Sequence, residues 1–160
     1  MIMTKEVGTF AAGCFWGVEE SFLNTKGVTE TEVGYIGGKT QNPSYEDVCR
    51  GDTNHAEAVR VFYNSDVIVY EELLDIFFNI HNPTTLNRQG YDFGTQYRSA
   101  IFYHNDVQKK ISEDKIKVLN NKTFQNKIST TIEEATTFWI AEEYHQKYIR
   151  KKQDRNYSRV

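Results

Sequence analysis

Segments with strand periodicity and segments with helix periodicity alternate along this chain. Residues 6–12 are small or β-branched and predict a strand. Immediately afterwards Phe15, Val18 and Phe22 recur at helical spacing, which predicts a helix ending near Gly27. Because the change of period falls at one point, the chain has to turn from a sheet into a packed helix there.

The same alternation continues to the end of the chain. Aromatic and β-branched runs predict strands, and apolar stripes at a spacing of three and four predict helices. The predicted strands are 31–36, 55–63, 96–104 and, as a strand or extended piece, 130–138; the predicted helices are one that ends before Pro83, one over 106–119 and a closing one over 140–152. Ordered loops are expected at 37–52 and 83–96, where Gly, Pro and Asn cluster. This mixed order predicts a two-layer α/β or α+β domain.

Length and charge exclude several classes of protein. A chain of 160 residues with a net charge of −3 fits one globular domain without the basic surface that nucleic acid requires. No stretch approaches the roughly 20 apolar residues that span a bilayer, and MIMTKEVGTF lacks the apolar region of an export signal. Two cysteines make no disulfide framework, and the four histidines have no metal-ligand spacing. We therefore expect a cytoplasmic protein without a metal.

Cys14 lies where the first predicted strand meets the first predicted helix, in AAGCFWGVEE. The free N–H groups and the dipole of a helix N-terminus favour a thiolate at that position. Phe15 and Trp16 could line an apolar pocket beside it. The alternative is a structural cysteine packed among aromatic rings.

Glu57 is the second candidate, in the predicted strand HAEAVRVFY. At a period of two it shares a face with Val59 and Val61, so burial would raise its pKa and let it act as a general acid. The alternative is an ion pair with Arg60 or Arg98.

Further polar side chains lie in the predicted loops. Tyr45, Asp92 and Tyr97 could converge on the strand ends, although position in a loop is weak support for a role. His55 precedes the strand of Glu57 and leaves open a hydrolase in which imidazole activates the Cys14 thiol.

Four long blocks of the chain resemble the A-type peptide-methionine sulfoxide reductases. They are GCFWGVEE, VGYIGG, NPSYEDVCRGDTNHAEAVRV and NRQGYDFGTQYRSAIF, and ATTFWIAEEYHQKY carries a weaker similarity. The resemblance implies a single catalytic domain over residues 1–160 with an α+β, ferredoxin-like two-layer plait, additional helices and long ordered loops. It also implies thiol-dependent reduction of the S epimer of methionine sulfoxide, free or within proteins.

Roles for individual residues follow from the same resemblance. It implies that Cys14 is the nucleophile and becomes a sulfenic acid, and that Glu57 is the acid that protonates the sulfoxide oxygen. Phe15 and Trp16 correspond to the wall that receives the S-methyl group. The remaining polar residues of the family's site correspond to Tyr45, Asp92 and Tyr97. The alternative from another functional class is a domain that binds methionine-sulfoxide peptides without reducing them.

The resemblance also concerns how the oxidised Cys14 is reduced again for the next turnover. Many members carry recycling cysteines in a C-terminal tail, whereas this chain reaches QDRNYSRV with no cysteine after Cys49. We therefore expect no bound cofactor and an external thiol reductant, from the glutathione and glutaredoxin or the thioredoxin system. Direct attack by Cys49 as the resolving thiol is the alternative. Asn54 and Tyr91 stand where the family often has glycine and asparagine, and a monomer is expected.

Overall fold

The computed structural model describes the backbone of residues 5–158 and the side chains of residues 5–155. The strands are β1 Lys5–Ala12, β2 Val28–Ile36, β3 Ala56–Asn64, β4 Arg88–Gln89, β5 Asp92–Phe93, β6 Ser99–Tyr103, β7 Thr131–Glu134 and β8 Trp139–Ile140. The helices are α1 Phe15–Leu23, α2 Tyr45–Cys49, α3 Tyr70–Asn79, α4 Asp106–Leu119 and α5 Tyr148–Ser158. The first four residues of MIMTKEVGTF and the last two of QDRNYSRV lie outside the described part.

A mixed sheet forms the centre of the molecule. Within the described residues six strands pair in the order β7-β6-β1-β3-β2-β8, with β6 and β7 parallel and the other pairs antiparallel. The chain order β1-α1-β2-β3-α3-β6 over the inner strands β6-β1-β3-β2 is that of a ferredoxin-like split βαβ plait. The predicted α+β plait with additional helices is confirmed.

The two faces of the sheet carry different residues. One face packs large apolar side chains against α1 and α3, and Phe10, Val59, Tyr63 and Phe77 are among its fully buried members. The opposite face uses small residues such as Ala58 and is covered by Ala135 and Phe138. Because strand side chains alternate between faces, the odd-numbered residues of β3 point at the helices.

The register between β1 and β3 decides where the candidate site lies. The two strands pair antiparallel, and the register reaches Phe10 opposite Val59. Two residues further along each strand are the end of β1, which leads into α1, and Glu57 near the start of β3. The first turn of α1 is thereby brought next to the Glu57 side chain.

Several predicted elements differ from the structure. The closing helix predicted over 140–152 is wrong in its first half, because α5 begins only at Tyr148. Lys147 adopts a left-handed φ of 53°. The stretch instead contains the end of β8 and a 3₁₀ turn over Glu143–His145, and the Gln146 side chain bonds the backbone of Val33 and Ala141. The predicted loops also contain short elements, namely α2, the β4–β5 hairpin and a 3₁₀ turn over Thr95–Tyr97.

None of the helices within residues 5–158 is both long and apolar enough to cross a bilayer.

Candidate active site

Cys14 is the residue immediately before α1 and its side chain is partly buried. Gly13, just before it, has a φ of 94°, and a Cβ there would lie 2.8 Å from Cγ of Gln89, so the junction needs a glycine. The backbone N–H groups of Trp16 and Gly17 point at the Cys14 sulfur. The structure therefore places the thiol at the helix N-terminus, as the sequence predicts.

The pKa of the Cys14 thiol nevertheless moves in the direction opposite to the one expected. The pKa is raised to about 11, because burial outweighs the lowering by the two N–H groups and the negative charges of Glu57 and Asp92 add to the increase. The helix N-terminus lowers the pKa as predicted, but it does not make the thiolate the resting form of the free protein. The resting group is a thiol.

Glu57 lies on the helix-covered face of β3 and is 1% exposed. Its Oε1 accepts a hydrogen bond of 3.3 Å from the backbone N–H of Phe15, the first residue of α1. No group among the described residues bonds its other oxygen, Oε2. Burial raises the pKa of Glu57 to about 7, with the negative charge of Asp92 adding to the shift. This carboxyl group is close to half protonated at neutral pH and has a free oxygen.

The alternative of an ion-paired Glu57 is wrong, because both candidate arginines pair elsewhere. Arg60 contacts Oε1 of Glu32 at 3.0 Å, and Arg98 contacts Oε2 of Glu133 at 3.3 Å.

The predicted loop residues converge on the same place. The pKa of the Tyr97 phenol is raised by burial and then by the charges of Glu57, Cys49, Asp92 and Cys14. The pKa of the Tyr45 phenol is raised by burial, by its hydrogen bond to Cys49 and by the charge of Glu57. Both phenols therefore stay protonated and can donate hydrogen bonds at neutral pH.

Cys49 ends α2 and is exposed. Burial of part of the side chain raises its pKa, the hydrogen bond from Tyr45 lowers it, and the charge of Glu57 raises it again. The second thiol therefore lies near the same carboxylate as Cys14.

An aromatic wall surrounds the start of α1. Phe15 is buried against Tyr35 with ring centroids 5.8 Å apart. Trp16 stacks on Tyr148 with centroids 4.0 Å apart and an interplanar angle of 10°. The Trp16 indole N–H donates to Nδ1 of His145 at 2.9 Å, which fixes the orientation of the indole plane.

His145 and Glu142 belong to the site, although the sequence patterns did not assign them. His145 is 0% exposed and packs on Tyr45 and Tyr144 with centroids 4.3 and 4.0 Å apart. Its Nε2 is unbonded by any described residue. Glu142 accepts from the Tyr35 hydroxyl at 2.8 Å and from the Tyr45 backbone N–H at 2.9 Å. No spacing rule links these two residues to Cys14, which lies far from them in sequence. Both lie in the weakly similar block ATTFWIAEEYHQKY, which assigned a role to neither.

His55 does not serve as a base for Cys14. Its Nδ1 accepts from the Gly38 N–H at 3.0 Å, so the proton sits on Nε2, which donates to the Thr40 carbonyl at 2.7 Å. Both ring nitrogens are engaged in holding a loop, which removes the basis for a Cys-His hydrolase. Three or more His, Cys, Asp or Glu side chains do not gather as a metal site anywhere in the described part.

Comparison with known proteins points to one family. The family model described as peptide methionine sulfoxide reductase matches residues 6–160. The protein named peptide methionine sulfoxide reductase MsrA from Methanothermobacter thermautotrophicus is 54% identical over 147 residues, 91% of this chain and 87% of the relative. The MsrA of Pasteurella multocida is 53% identical over 147 residues, 92% of this chain and 83% of the relative.

The chain belongs to the peptide methionine sulfoxide reductase family.

Solved structures of this family match the fold. Mxr1 from Saccharomyces cerevisiae in its reduced form superposes with a TM-score of 0.87 at 42% identity, covering 94% of this chain and 87% of that one. Methionine sulfoxide reductase A of Corynebacterium diphtheriae gives a TM-score of 0.83 at 35% identity, over 94% and 76% of the two chains. Another structure, of Mxr1 in complex with Trx2, gives a TM-score of 0.64 at 32% identity over 91% and 85%.

The structure accommodates the two residues that depart from the reductase family's pattern, Asn54 and Tyr91. Asn54 has a left-handed φ of 62°, a conformation that asparagine adopts more readily than other residues with a side chain and glycine adopts freely. Tyr91 is fully exposed at the turn of the β4–β5 hairpin. Asp92 still acts on both Cys14 and Glu57 with tyrosine at that position.

Proposed function

We propose that this chain reduces the S epimer of methionine sulfoxide to methionine, free or within proteins, with Cys14 as nucleophile and Glu57 as acid. Thiol-dependent reduction of methionine sulfoxide is the activity of the family to which the chain belongs. The observation that carries the assignment of residues is the buried, half-protonated Glu57 at the N-terminus of α1, beside the Cys14 thiol.

The reaction needs a proton on the sulfoxide oxygen, because that oxygen is otherwise a poor leaving group. Protonated Glu57 donates it through Oε2, which no described residue occupies. The sulfur of Cys14 attacks the sulfoxide sulfur and forms an S–S bond. The S–O and S–S bonds of that adduct then break as the oxygen moves to the Cys14 sulfur, which releases methionine. The balanced equation is Cys14–SH plus sulfoxide giving Cys14–SOH plus methionine, so the thiol is oxidised by two electrons and the sulfoxide is reduced by two.

The other residues act by position. The protonated phenols of Tyr45 and Tyr97 hold the sulfoxide oxygen by hydrogen bonds, which orients the sulfur toward Cys14. Phe15 and Trp16 present apolar rings to the S-methyl group. Asp92 supports Glu57, because its negative charge raises the pKa of that carboxyl group.

An external thiol closes the cycle in this proposal. A structure of Mxr1 in complex with Trx2 is among the neighbours and supports a protein thiol as reductant. Glutathione with glutaredoxin is the other candidate. Cys49 is the alternative, since its thiol is exposed and lies near Glu57. A cytoplasmic location and a monomeric state stay predictions.

The first test uses Cys14→Ser with separated S and R sulfoxides of a dabsylated methionine. The wild type should form one methionine per protein from the S epimer without added thiol, and mass spectrometry should find a sulfenic acid or a Cys14–Cys49 bridge. Cys14→Ser should form none, and undiminished turnover by that variant would sink the assignment. A protein that binds the sulfoxide but forms no methionine would instead be the binding domain named above.

A second test concerns recycling. Cys49→Ser should keep multiple turnovers with an external thiol if the reductant reaches the Cys14 sulfenic acid directly. Arrest after one methionine per protein would show that Cys49 is the obligatory resolving thiol.

A further inference from the structure

A groove runs along α5 on the outer side of the aromatic wall. It has a volume of about 580 Å³ and is lined by Tyr144, Tyr148, Lys151, Asp154 and Arg155. We call it the α5 groove. None of its lining residues has a part in the chemistry proposed above.

The α5 groove adjoins the aromatic wall beside the proposed methyl pocket. Tyr148, which lines the groove, stacks on Trp16 with centroids 4.0 Å apart, and Tyr144 packs against His145 in a tilted arrangement with centroids 4.0 Å apart. Trp16 and His145 are joined by the hydrogen bond from the indole. A polypeptide whose sulfoxide side chain reaches Cys14 has to leave the site on one side past this wall, and the groove begins there.

The charges of the α5 groove are positive at its far end. Tyr148, Lys151 and Arg155 lie at i, i+3 and i+7 and so share one face of α5. The Lys151 ammonium donates to the Glu143 carbonyl at 3.0 Å, a bond that uses one of its three protons. Asp154 offsets one of the two cations.

Negative charge reaches the near end of the α5 groove. The pKa of Tyr144 is raised by burial and then by the charges of Glu142 and of Glu46, which is exposed on α2. The Glu143 carboxylate belongs to residues that line a different groove with Lys147. An acidic segment of a bound polypeptide is therefore attracted to the far end of the α5 groove, where Lys151 and Arg155 lie.

We propose that the α5 groove binds an acidic segment of an oxidised protein, so that carboxylates close to the methionine sulfoxide favour reduction. This rests on the proposed function. Tyr148 and Arg155 are seven positions apart, or about 10 Å of helix, which an extended chain covers in about three residues. Asp or Glu about three residues from the sulfoxide should have the largest effect.

The test compares peptides that differ only in having Glu or Lys at that distance, on either side of the sulfoxide. The readout is the ratio of kcat/KM for the acidic peptide to that for the basic peptide, because a ratio cancels any difference in active fraction. We expect a ratio of roughly 2 to 30, because the one net cation left by Asp154 attracts Glu and repels Lys by about the energy of one surface ion pair each, and the ratio should fall as salt is raised. The double variant Lys151→Glu with Arg155→Glu should invert it.

The control variant, Lys122→Glu with Lys127→Glu, has the same change of net charge at exposed sites outside the groove. It should keep the wild-type ratio. An equal loss of preference in both double variants, or a ratio that the groove variant leaves unchanged, would overturn the proposal. So would a groove variant that changes only the KM for the reductant, because the surface would then belong to that partner. Failure to reduce either peptide or free methionine sulfoxide would be a failure of the proposed function itself.

Discussion

Replacing Glu57 with glutamine should change the shape of the pH–rate profile of the first turnover as well as lower its rate. The pKa of Glu57 is about 7 and that of Cys14 is about 11. At a pH between these two pKa values the Cys14 and Glu57 side chains together hold one proton, which lies on the thiol. The reactive form also holds one proton, but on Glu57, with Cys14 as thiolate. The difference of four pKa units makes this form ~10⁻⁴ of the molecules.

That fraction does not depend on pH as long as the pair holds one proton. The wild-type rate should therefore be flat from about pH 7 upward. It should fall tenfold per unit below pH 7, where the pair holds two protons. In Glu57→Gln the rate should instead follow the thiolate fraction and rise tenfold per unit across the whole working range. Loss of the acid should cost roughly 10²- to 10⁴-fold at neutral pH and less at alkaline pH.

Rapid-quench measurement of methionine formed per protein, without added thiol, from about pH 6 to about pH 10 gives both profiles. Glu71→Gln is the matched control, since Glu71 is an exposed carboxylate on α3 that pairs with Lys115. It should reproduce the wild-type plateau. A plateau that persists in Glu57→Gln, or a wild-type rate that climbs steadily with pH, would refute the shared-proton reasoning.

Three further changes test other parts of the structure. Burial lowers the pKa of His81 to about 4, so the unfolded chain binds more protons below its own pKa of about 6.5. Stability should therefore be full above about pH 6.5 and fall by about 3 kcal/mol toward pH 4 in urea unfolding, a loss that His81→Gln should lack. Gly13→Ala should cost about 1 to 3 kcal/mol in thermal unfolding because of the left-handed φ of 94°, and an unchanged Tm would contradict this. Glu142→Gln leaves only one acceptor, which the Tyr45 N–H takes, and its amide group can only donate to the Tyr35 hydroxyl, so the buried Tyr35 proton loses its acceptor at a cost of about 1 to 3 kcal/mol and the first turnover slows. The exposed neighbour Glu143→Gln should show neither effect.

The pattern of apolar residues correctly predicted those strands and helices in which such residues recur at a regular spacing. The alternation in β3 placed Glu57 on the helix-covered face with Val59 and Val61, as the structure has it. The bounds of α4 also agree with the prediction of 106–119, where the Asn105 side chain caps the Gln108 N–H. In both cases the information lies within one segment of the chain.

The closing segment could not be predicted in the same way. Its composition favours a helix, but tertiary contacts override that preference. Lys147 donates its backbone N–H to the buried Glu19 carboxylate at 2.6 Å, and Glu19 also accepts from Thr31. The partners lie on α1 and β2, far along the chain, and no period in residues 140–147 reveals them. The same segment carries Glu142 and His145, so the missed elements and the missed site residues have one cause.

The protonation of Cys14 shows why a local feature can mislead. The helix N-terminus does lower the pKa of the thiol, as its position in the sequence predicts. Burial and two carboxylates from distant segments outweigh it. A thiol kept protonated by burial and by the charges of Glu57 and Asp92 is a weak nucleophile toward other electrophiles, because the thiolate is the reactive species. Cys14 therefore stays an unreactive thiol until the site binds a group that takes a proton from Glu57.

The sulfoxide oxygen is such a group, and the proton balance then explains why Glu57 has to lie between the two reactants. Glu57 gives its proton to the oxygen and the Cys14 thiol gives its own proton to Glu57, so the carboxyl group ends as it began. The product Cys14–SOH keeps the proton that came through Glu57, and the first turnover neither takes up nor releases a proton in solution. A carboxyl group with an ordinary pKa would seldom be protonated at pH 7, and one with a much higher pKa would not release the proton. The value of about 7, produced mainly by burial on β3, suits both transfers.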